Sequence, residues 1–282
     1  MPASVTISLE ELENLKNYLM KTGLKRVPVA NEYELLRISD GDIKMVVYKS
    51  GKLVHNGSEE TLKVIRYILQ REFDYDYLVG SDEVGKGEWY GPLVVVCVAL
   101  TPNQLLRFRE LGVQDSKLLS KNQIKRLAAI LDSETNRSRR EVILMPETYN
   151  ELYEKFKIEG KSLNDMLAWA HEVAINGALA LVSPKKPKVV IDKFDEKKMD
   201  LQIERYSIKQ PGQVIIQKSR GETEVPVAVA SIIAKNLFET RVDELERRFN
   251  IKLRNHLPRD LKSSILPYVA KLHFKNVKDA LI

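Results

Sequence analysis

Asp82 and Glu83 stand side by side at the end of the short segment Tyr77–Ser81, and Gly85-Lys86-Gly87 and Gly91-Pro92 follow at once. Carboxylates at a strand end can hold a divalent cation. Glycines let backbone N–H groups approach a phosphate or a sugar closely, and a lysine between two of them adds positive charge. An Asp-Glu pair alone reads as surface acids before a turn. The three glycines, the lysine and the pair Trp89-Tyr90 behind it shift the balance towards a site. Neighbours on a strand point to opposite faces. A shared site therefore requires the strand to twist or end between Asp82 and Glu83, and Gly85 offers the place.

A second acid, Asp192, closes the β-branched segment Lys188–Ile191. An acid there is a common cap; its resemblance in position to Asp82, also at a strand end, suggests one metal site. Asp195, three residues on, is a loop acid or a supporting group. A third cluster, Lys218-Ser219-Arg220-Gly221-Glu222-Thr223-Glu224, leads into a helix whose small residues Ala228, Ala230, Ser231 and Ala234 allow close packing on a sheet. The helix dipole alone favours an acid near that terminus, so position singles out neither Glu222 nor Glu224.

These residues must be carried by a scaffold. The chain has 282 residues, 44% hydrophobic and 30% charged, which excludes a disordered chain and suffices for a packed core. Its 45 basic and 39 acidic residues give a net charge of +6, suited to a polyanionic partner without proving one. One cysteine, Cys97, excludes a disulfide framework and a multi-cysteine zinc site, and its apolar surroundings predict a buried thiol. No apolar run approaches membrane-spanning length, and the first residues lack the pattern of a signal peptide. A cytoplasmic monomer with no membrane association is expected.

Two domains are predicted, residues 1–72 and 73–282, divided at the acidic and aromatic stretch Glu72–Asp76. In the first, Ser8 and Glu11 form a capping box before a helix that Gly23 ends. Strands are predicted at Tyr33–Ile38, Ile43–Tyr48 and Lys52–His55, then a second helix from Ser58. In the second, strands at Tyr77–Ser81, Leu93–Leu100, Lys188–Asp192 and Val214–Gln217 alternate with helices at Asn103–Leu111, Lys121–Asp132, Ser162–Leu181 and Val225–Phe249. That alternation predicts an α/β or α+β fold with a central sheet. His171, His273 and Trp169 read as packed residues without a catalytic role, and Trp89 and Tyr90 as packing for their loop.

In combination these motifs resemble the type 2 ribonuclease H family. The match rests on Asp82-Glu83-Val84-Gly85-Lys86-Gly87 with Gly91-Pro92, on Asp115-Ser116-Lys117, on Asp192, and on Ala230-Ser231-Ile232-Ile233-Ala234-Lys235. Glu222 as fourth acid, the run Leu163–His171 and the run Ala270–Asn276 resemble its HIII branch rather than HII. Lys86 departs from both, which usually have threonine and arginine there.

The resemblance implies an α/β RNase H-like catalytic domain with a central mixed sheet flanked by helices. It also implies a small N-terminal α+β domain like half of a TATA-box-binding protein. The implied activity is hydrolysis of the RNA strand of an RNA/DNA hybrid, leaving 5′-phosphate and 3′-hydroxyl ends. Asp82, Glu83, Asp192 and Glu222 would be the catalytic, metal-holding acids for two ions about 4 Å apart. An all-carboxylate set favours Mg²⁺ or Mn²⁺ over zinc. Gly85, Lys86 and Gly87 would read the minor groove and its 2′-hydroxyls, while Lys117 and Lys218 would meet phosphates. The basic residues Lys21, Lys25, Arg26, Lys44, Lys49 and Lys52 suggest that the first domain binds the hybrid. Alternative readings are HII-like cleavage at single ribonucleotides or RNA–DNA junctions, a DNA nuclease, and a non-catalytic nucleic-acid-binding protein on the same fold.

Overall fold

The first strand of the chain, β1 (Ala3–Thr6), leads into helix α1 (Leu9–Thr22). The predicted capping box opens that helix: the Glu11 N–H donates to Ser8 Oγ at 3.2 Å, and the Ser8 N–H donates to Glu11 Oε2 at 2.7 Å. Strands β2 (Arg26–Val27), β3 (Glu34–Asp40), β4 (Ile43–Tyr48) and β5 (Lys52–His55) follow, then helix α2 (Glu59–Leu69). The computed structural model describes residues 3–69, 75–113, 119–192, 214–218 and 224–282.

The first sheet has the order β1-β5-β4-β3-β2, with every pairing antiparallel. A sheet covered on one side alternates apolar and polar residues along each strand. Ile38, Met45, Val47 and Leu53 accordingly point into a core shared with Leu15 of α1 and Ile65 of α2. By register, Arg37, Val46 and Val54 share the opposite face with Lys44 and Lys52. Helix α3 (Pro102–Glu110) groups with this unit, which comprises Met1–Asp74 and Pro102–Val113. Leu106 packs into its core, and Arg109 Nη1 lies 3.1 Å from Glu11 Oε1.

The second unit comprises Tyr75–Thr101 and Gln114–Ile282. Its sheet contains β6 (Tyr77–Val84), β7 (Leu93–Leu100), β8 (Arg139–Leu144), β9 (Pro187–Asp192) and β10 (Val214–Lys218) in the order β10-β9-β6-β7-β8. Strands β10, β9 and β6 are parallel; β7 is antiparallel to β6 and β8. The helices are α4 (Lys121–Thr135), α5 (Pro146–Ile158), α6 (Leu163–Val182), α7 (Val225–Phe249), and the short α8 (Leu266–Val269) and α9 (Lys275–Asp279). This is the expected mixed sheet flanked by helices. Among the described residues no helix is long and apolar enough to cross a membrane.

Helices α6 and α7 take opposite faces of β6. Val79, Val95, Cys97 and Ala99 pack with Met166 and Ala170 of α6. Cys97 is buried as expected, and burial pushes its thiol up. On the other face, a Cβ on Gly80 would stand 2.5 Å from the Val227 backbone nitrogen and 2.7 Å from the Pro226 carbonyl carbon. The first turn of α7 thus lies directly on the strand, as its small residues allow.

Besides the grouping of α3 with the first unit, where the sequence placed it in the second domain, three features differ from expectation. Strand β8 starts Arg139-Arg140-Glu141, so its charge hides the β pattern of an edge strand. Helix α5 had a readable signal, Pro146 in the first turn and Tyr149, Leu152, Tyr153 and Phe156 at helical spacing. Trp169 is not core: it is exposed on α6, its ring edge towards Phe156 with centroids 6.3 Å apart.

Gly80→Ala forces backbone of α7 away from β6, and overpacking of this kind costs about 1–3 kcal/mol. Thermal unfolding should show a clearly lowered midpoint; an unchanged midpoint would show that this contact does not set the helix position.

Candidate active site

Strand β6 does not end between its two acids. It stays paired with β7 through Val84, with Asp82 opposite Val96 and Glu83 opposite Val95. Alternation therefore sends Ser81 and Glu83 to the α6 face, and Gly80 and Asp82 to the α7 face. Each acid meets a different helix. His171 of α6 places Nε2 3.2 Å from Glu83 Oε2 and Nδ1 2.6 Å from Ser81 Oγ. A proton on Nε2 lets the ring donate to Glu83, and Nδ1 shares a second hydrogen bond with the Ser81 hydroxyl. Asp82 accepts a hydrogen bond from the Ser231 hydroxyl of α7, and the Glu83 N–H donates to its Oδ1 at 2.9 Å.

His171 is thus buried, as expected, yet it is more than packing. The alternation that puts Ser81 and Glu83 on one face was visible in the sequence. That α6 would deliver a histidine to that face was not.

The two carboxyls are driven apart electrostatically. Burial, then the charge of Glu83, raises Asp82 from 3.8 to about 6, against the Ser231 hydrogen bond, the Glu83 N–H and His171. Burial also pushes Glu83 up, but the hydrogen bond and charge of His171, with the charge of Lys86, outweigh it and hold Glu83 below its ordinary value. A partly buried acid pair of which one member titrates near 6 is short of positive charge. Its donors are all hard oxygens. Both facts fit a divalent cation of the Mg²⁺ or Mn²⁺ type.

Asp192 comes to the same end of the sheet. Ser81 pairs with Ile191 in the parallel register of β6 and β9, so the next residues of the two strands are Asp82 and Asp192. Lys218 closes β10 opposite Asp192. In open α/β sheets ligands bind beyond the carboxyl ends of parallel strands, and these residues stand there. Glu224 occupies the N-cap position of α7, with Pro226 in the first turn. Glu222, Asp195, Asp115, Ser116 and Lys117 lie outside the described residues. Among the described residues, which do not include Glu222, no group of three His, Cys, Asp or Glu is placed to hold a metal.

The glycine-rich loop leaves directly from β6. Gly85 has φ of 96°, and a Cβ there would strike the Pro92 carbonyl oxygen, so glycine is required. Lys86 is half-buried and Gly87 exposed. Trp89 and Tyr90 pack edge to face at 5.3 Å, and Tyr90 lies 6.2 Å from Phe238 of α7, in keeping with a packing role. His273 sits among Tyr149, Tyr153 and Phe274. Burial, then the charges of Lys271 and Lys278, pull it down to about 4, so it is neutral at physiological pH.

In the first unit, the open sheet face holds a cavity of about 410 Å³ lined by Val27, Arg37, Lys44, Val46, Val54 and neighbours. Of the six basic residues singled out in the sequence, Lys44 and Lys52 lie on this face by register. Lys21 is on α1, Lys25 and Lys49 are in connections, and Arg26 pairs with the core-facing Ile38. Arg37 belongs to the open face and was missed.

The sequence model described as ribonuclease HII matches residues 79–257. A ribonuclease HIII of Chlamydia felis is 31% identical over 301 residues, covering 99% of this chain and 97% of that one. Among solved structures, ribonuclease H3 of Aquifex aeolicus aligns with a TM-score of 0.57 at 28% identity, covering 96% of this chain and 100% of the other. Bst-RNase HIII in complex with Mn²⁺ aligns with a TM-score of 0.60 at 22% identity, covering 100% of this chain and 98% of that one, a likeness of fold.

Asp82 titrates higher in the folded chain than in the unfolded one. The folded form therefore holds the extra proton between about pH 4 and 6. The stability this group contributes is full below that window and is lost as pH rises through about 6. In the presence of chelator, Asp82→Asn should be more stable than wild type at pH 8, by up to about 3 kcal/mol. The gap should close by about pH 4. Urea unfolding at the two pH values measures it, and an equal gap at both would contradict the assignment.

Proposed function

This chain belongs to the type 2 ribonuclease H family, in its ribonuclease HIII branch, and is a ribonuclease H; on that premise we propose that it cuts the RNA strand of RNA/DNA hybrids with two divalent ions, leaving 5′-phosphate and 3′-hydroxyl ends. The observation that carries this reading is the parallel register that brings Asp82 and Asp192 to adjacent strand ends, with Glu83 beside them. Asp82, Glu83, Asp192 and Glu222 would hold the ions, Mg²⁺ or Mn²⁺. When bound, such ions lower the pKa of the attacking water and neutralise charge on the leaving oxygen.

The protein's own groups prepare that geometry. His171 fixes the Glu83 carboxylate through Nε2, and Ser81 fixes the ring in turn. Ser231 holds Asp82 from the other face. Preorganised groups of this kind need little rearrangement during reaction. Gly85-Lys86-Gly87 would approach the minor groove, where the 2′-hydroxyl separates RNA from DNA. Lys117 and Lys218 would meet phosphates. The open sheet face of residues 1–72, with Arg37, Lys44 and Lys52, would bind the hybrid backbone. A pure binding protein has no use for acids that repel phosphate, which favours the enzymatic reading.

Labelled hybrid should lose its RNA strand in Mg²⁺ or Mn²⁺ and stay intact in chelator, while duplex DNA is untouched. Asp82→Asn and Asp192→Asn should abolish turnover but keep hybrid binding. Glu222→Gln should lose most activity and Glu224→Gln little, since Glu224 sits at the N-cap position of α7, where the helix dipole alone favours an acid; the reverse order would move the fourth acid to Glu224. Near-normal turnover in either aspartate variant would defeat the metal assignment.

The double variant Lys44→Ala, Lys52→Ala should weaken hybrid binding and flatten its salt dependence by about one in logarithmic slope per lysine, with turnover at saturation unchanged. Equal slopes would show that this face does not touch nucleic acid. Substitution is a cleaner test than removing residues 1–72, which would strip Leu106 of the core it packs into.

A further inference from the structure

Near the carboxy-terminal end the chain buries a charge that neither the acid site nor the hydrophobic core explains. Lys271 is fully buried. A lysine is almost never found so placed unless an acid pairs with it. Among the described residues no ion pair joins Lys271 to a carboxylate. Its Nζ instead donates to two backbone carbonyls, Glu88 O at 2.9 Å and Tyr90 O at 3.0 Å. The same Nζ lies 5.6 Å from the centroid of the Tyr149 ring, within reach of a cation–π contact. Burial pulls its pKa down to about 7, with the charge of Glu88 opposing.

Both carbonyls belong to the glycine-rich loop that leaves Asp82 and Glu83. The backbone repeats the attachment. The Lys271 N–H donates to Trp89 O at 2.7 Å, the Gly91 N–H donates to Val269 O at 2.9 Å, and Tyr90 and Ala270 form an antiparallel bridge. The strap carrying Lys271 is itself anchored on α5. Asn150 Nδ2 donates to Ala270 O at 2.9 Å, and the Leu272 N–H donates to Asn150 Oδ1 at 2.9 Å. Residues 88–91 are therefore gripped from one side by a segment about 180 positions away in sequence.

An apolar side chain of similar length would fill this space without the cost of desolvating an ammonium. It could not satisfy two carbonyls that point inward. A loop that reads a ligand through its backbone needs its peptide planes held in one orientation, and that is what the ammonium supplies.

We propose that Lys271 is a positioning residue for substrate: by gripping the Glu88 and Tyr90 carbonyls it holds the glycine-rich loop in the one shape that engages the hybrid. The proposal rests on the reading that this loop meets the hybrid. It gives Lys271 no contact with substrate and no part in the chemical step.

The test uses the full chain with Lys271→Met, which keeps the bulk and removes every side-chain donor. A milder variant, Asn150→Ala, loosens the strap without emptying the Lys271 site. Two readouts are taken: hydrogen exchange of the Gly91 and Lys271 amides without substrate, and steady-state cleavage of hybrid in Mg²⁺. In Lys271→Met both amides should exchange faster and KM for hybrid should rise about tenfold while kcat stays within about twofold. Asn150→Ala should show the same pattern, weaker, and decides the matter if Lys271→Met does not fold. Unchanged KM in a folded variant overturns the proposal, whether or not exchange speeds up. So does a fall in kcat at unchanged KM. A wild type that leaves hybrid uncut defeats the functional reading instead, and the exchange measurement still decides whether Lys271 holds the loop.

Discussion

Adjacent residues on a paired strand cannot share a face, and Asp82 and Glu83 are adjacent on β6, which stays paired beyond both. The second unit is arranged around that constraint. Each acid needs its own support, so the strand must be covered from both sides. Helix α6 comes from one face with His171 for Glu83; helix α7 comes from the other with Ser231 for Asp82. Gly80 lets α7 lie against the strand, and Ser81 orients the histidine on the opposite side. Of four consecutive residues, Gly80 and Ser81 thus accommodate a helix and its histidine, and Asp82 and Glu83 present the acids.

Buried charge in this unit is managed in distinct ways. Glu83 is held ionised by a histidine. Asp82 is left with less compensation and titrates near 6. Lys271 is satisfied by carbonyls instead of a carboxylate. His273, close to Lys271, has its pKa pulled down to about 4 and stays neutral. Unpaired charge in a low-dielectric interior is costly, so groups kept there generally serve a purpose beyond stability. The undercompensated acid, Asp82, stands at the carboxyl ends of the parallel strands. The lysine stands where a loop must be held still.

The first unit follows a different logic. Its antiparallel sheet buries one face under α1 and α2 and leaves the other open. Lys44, Lys52 and Arg37 gather on the open face because of strand register, while other basic residues of the same segment fall elsewhere. Charge composition alone could not separate these two groups.

Much of this protein was legible in the sequence, because the relevant signals are local. The capping box at Ser8 and Glu11, the β-branched runs of β7 and β9, and the helical spacing in α6 and α7 depend on residues a few positions apart. The acids and the glycine-rich loop were recognisable by type and order. What the tertiary structure decided depends on residues far apart. Asp192 comes beside Asp82 through the parallel register of β6 and β9, which no local pattern specifies. His171 meets a residue 88 positions away, and Lys271 meets carbonyls 183 and 181 positions away. A histidine on an apolar helix and a lysine near a chain's end look the same in sequence whether they pack, dissolve or hold a site. Only their burial and their partners tell these roles apart, and those exist once the sheet has assembled and its helices have docked.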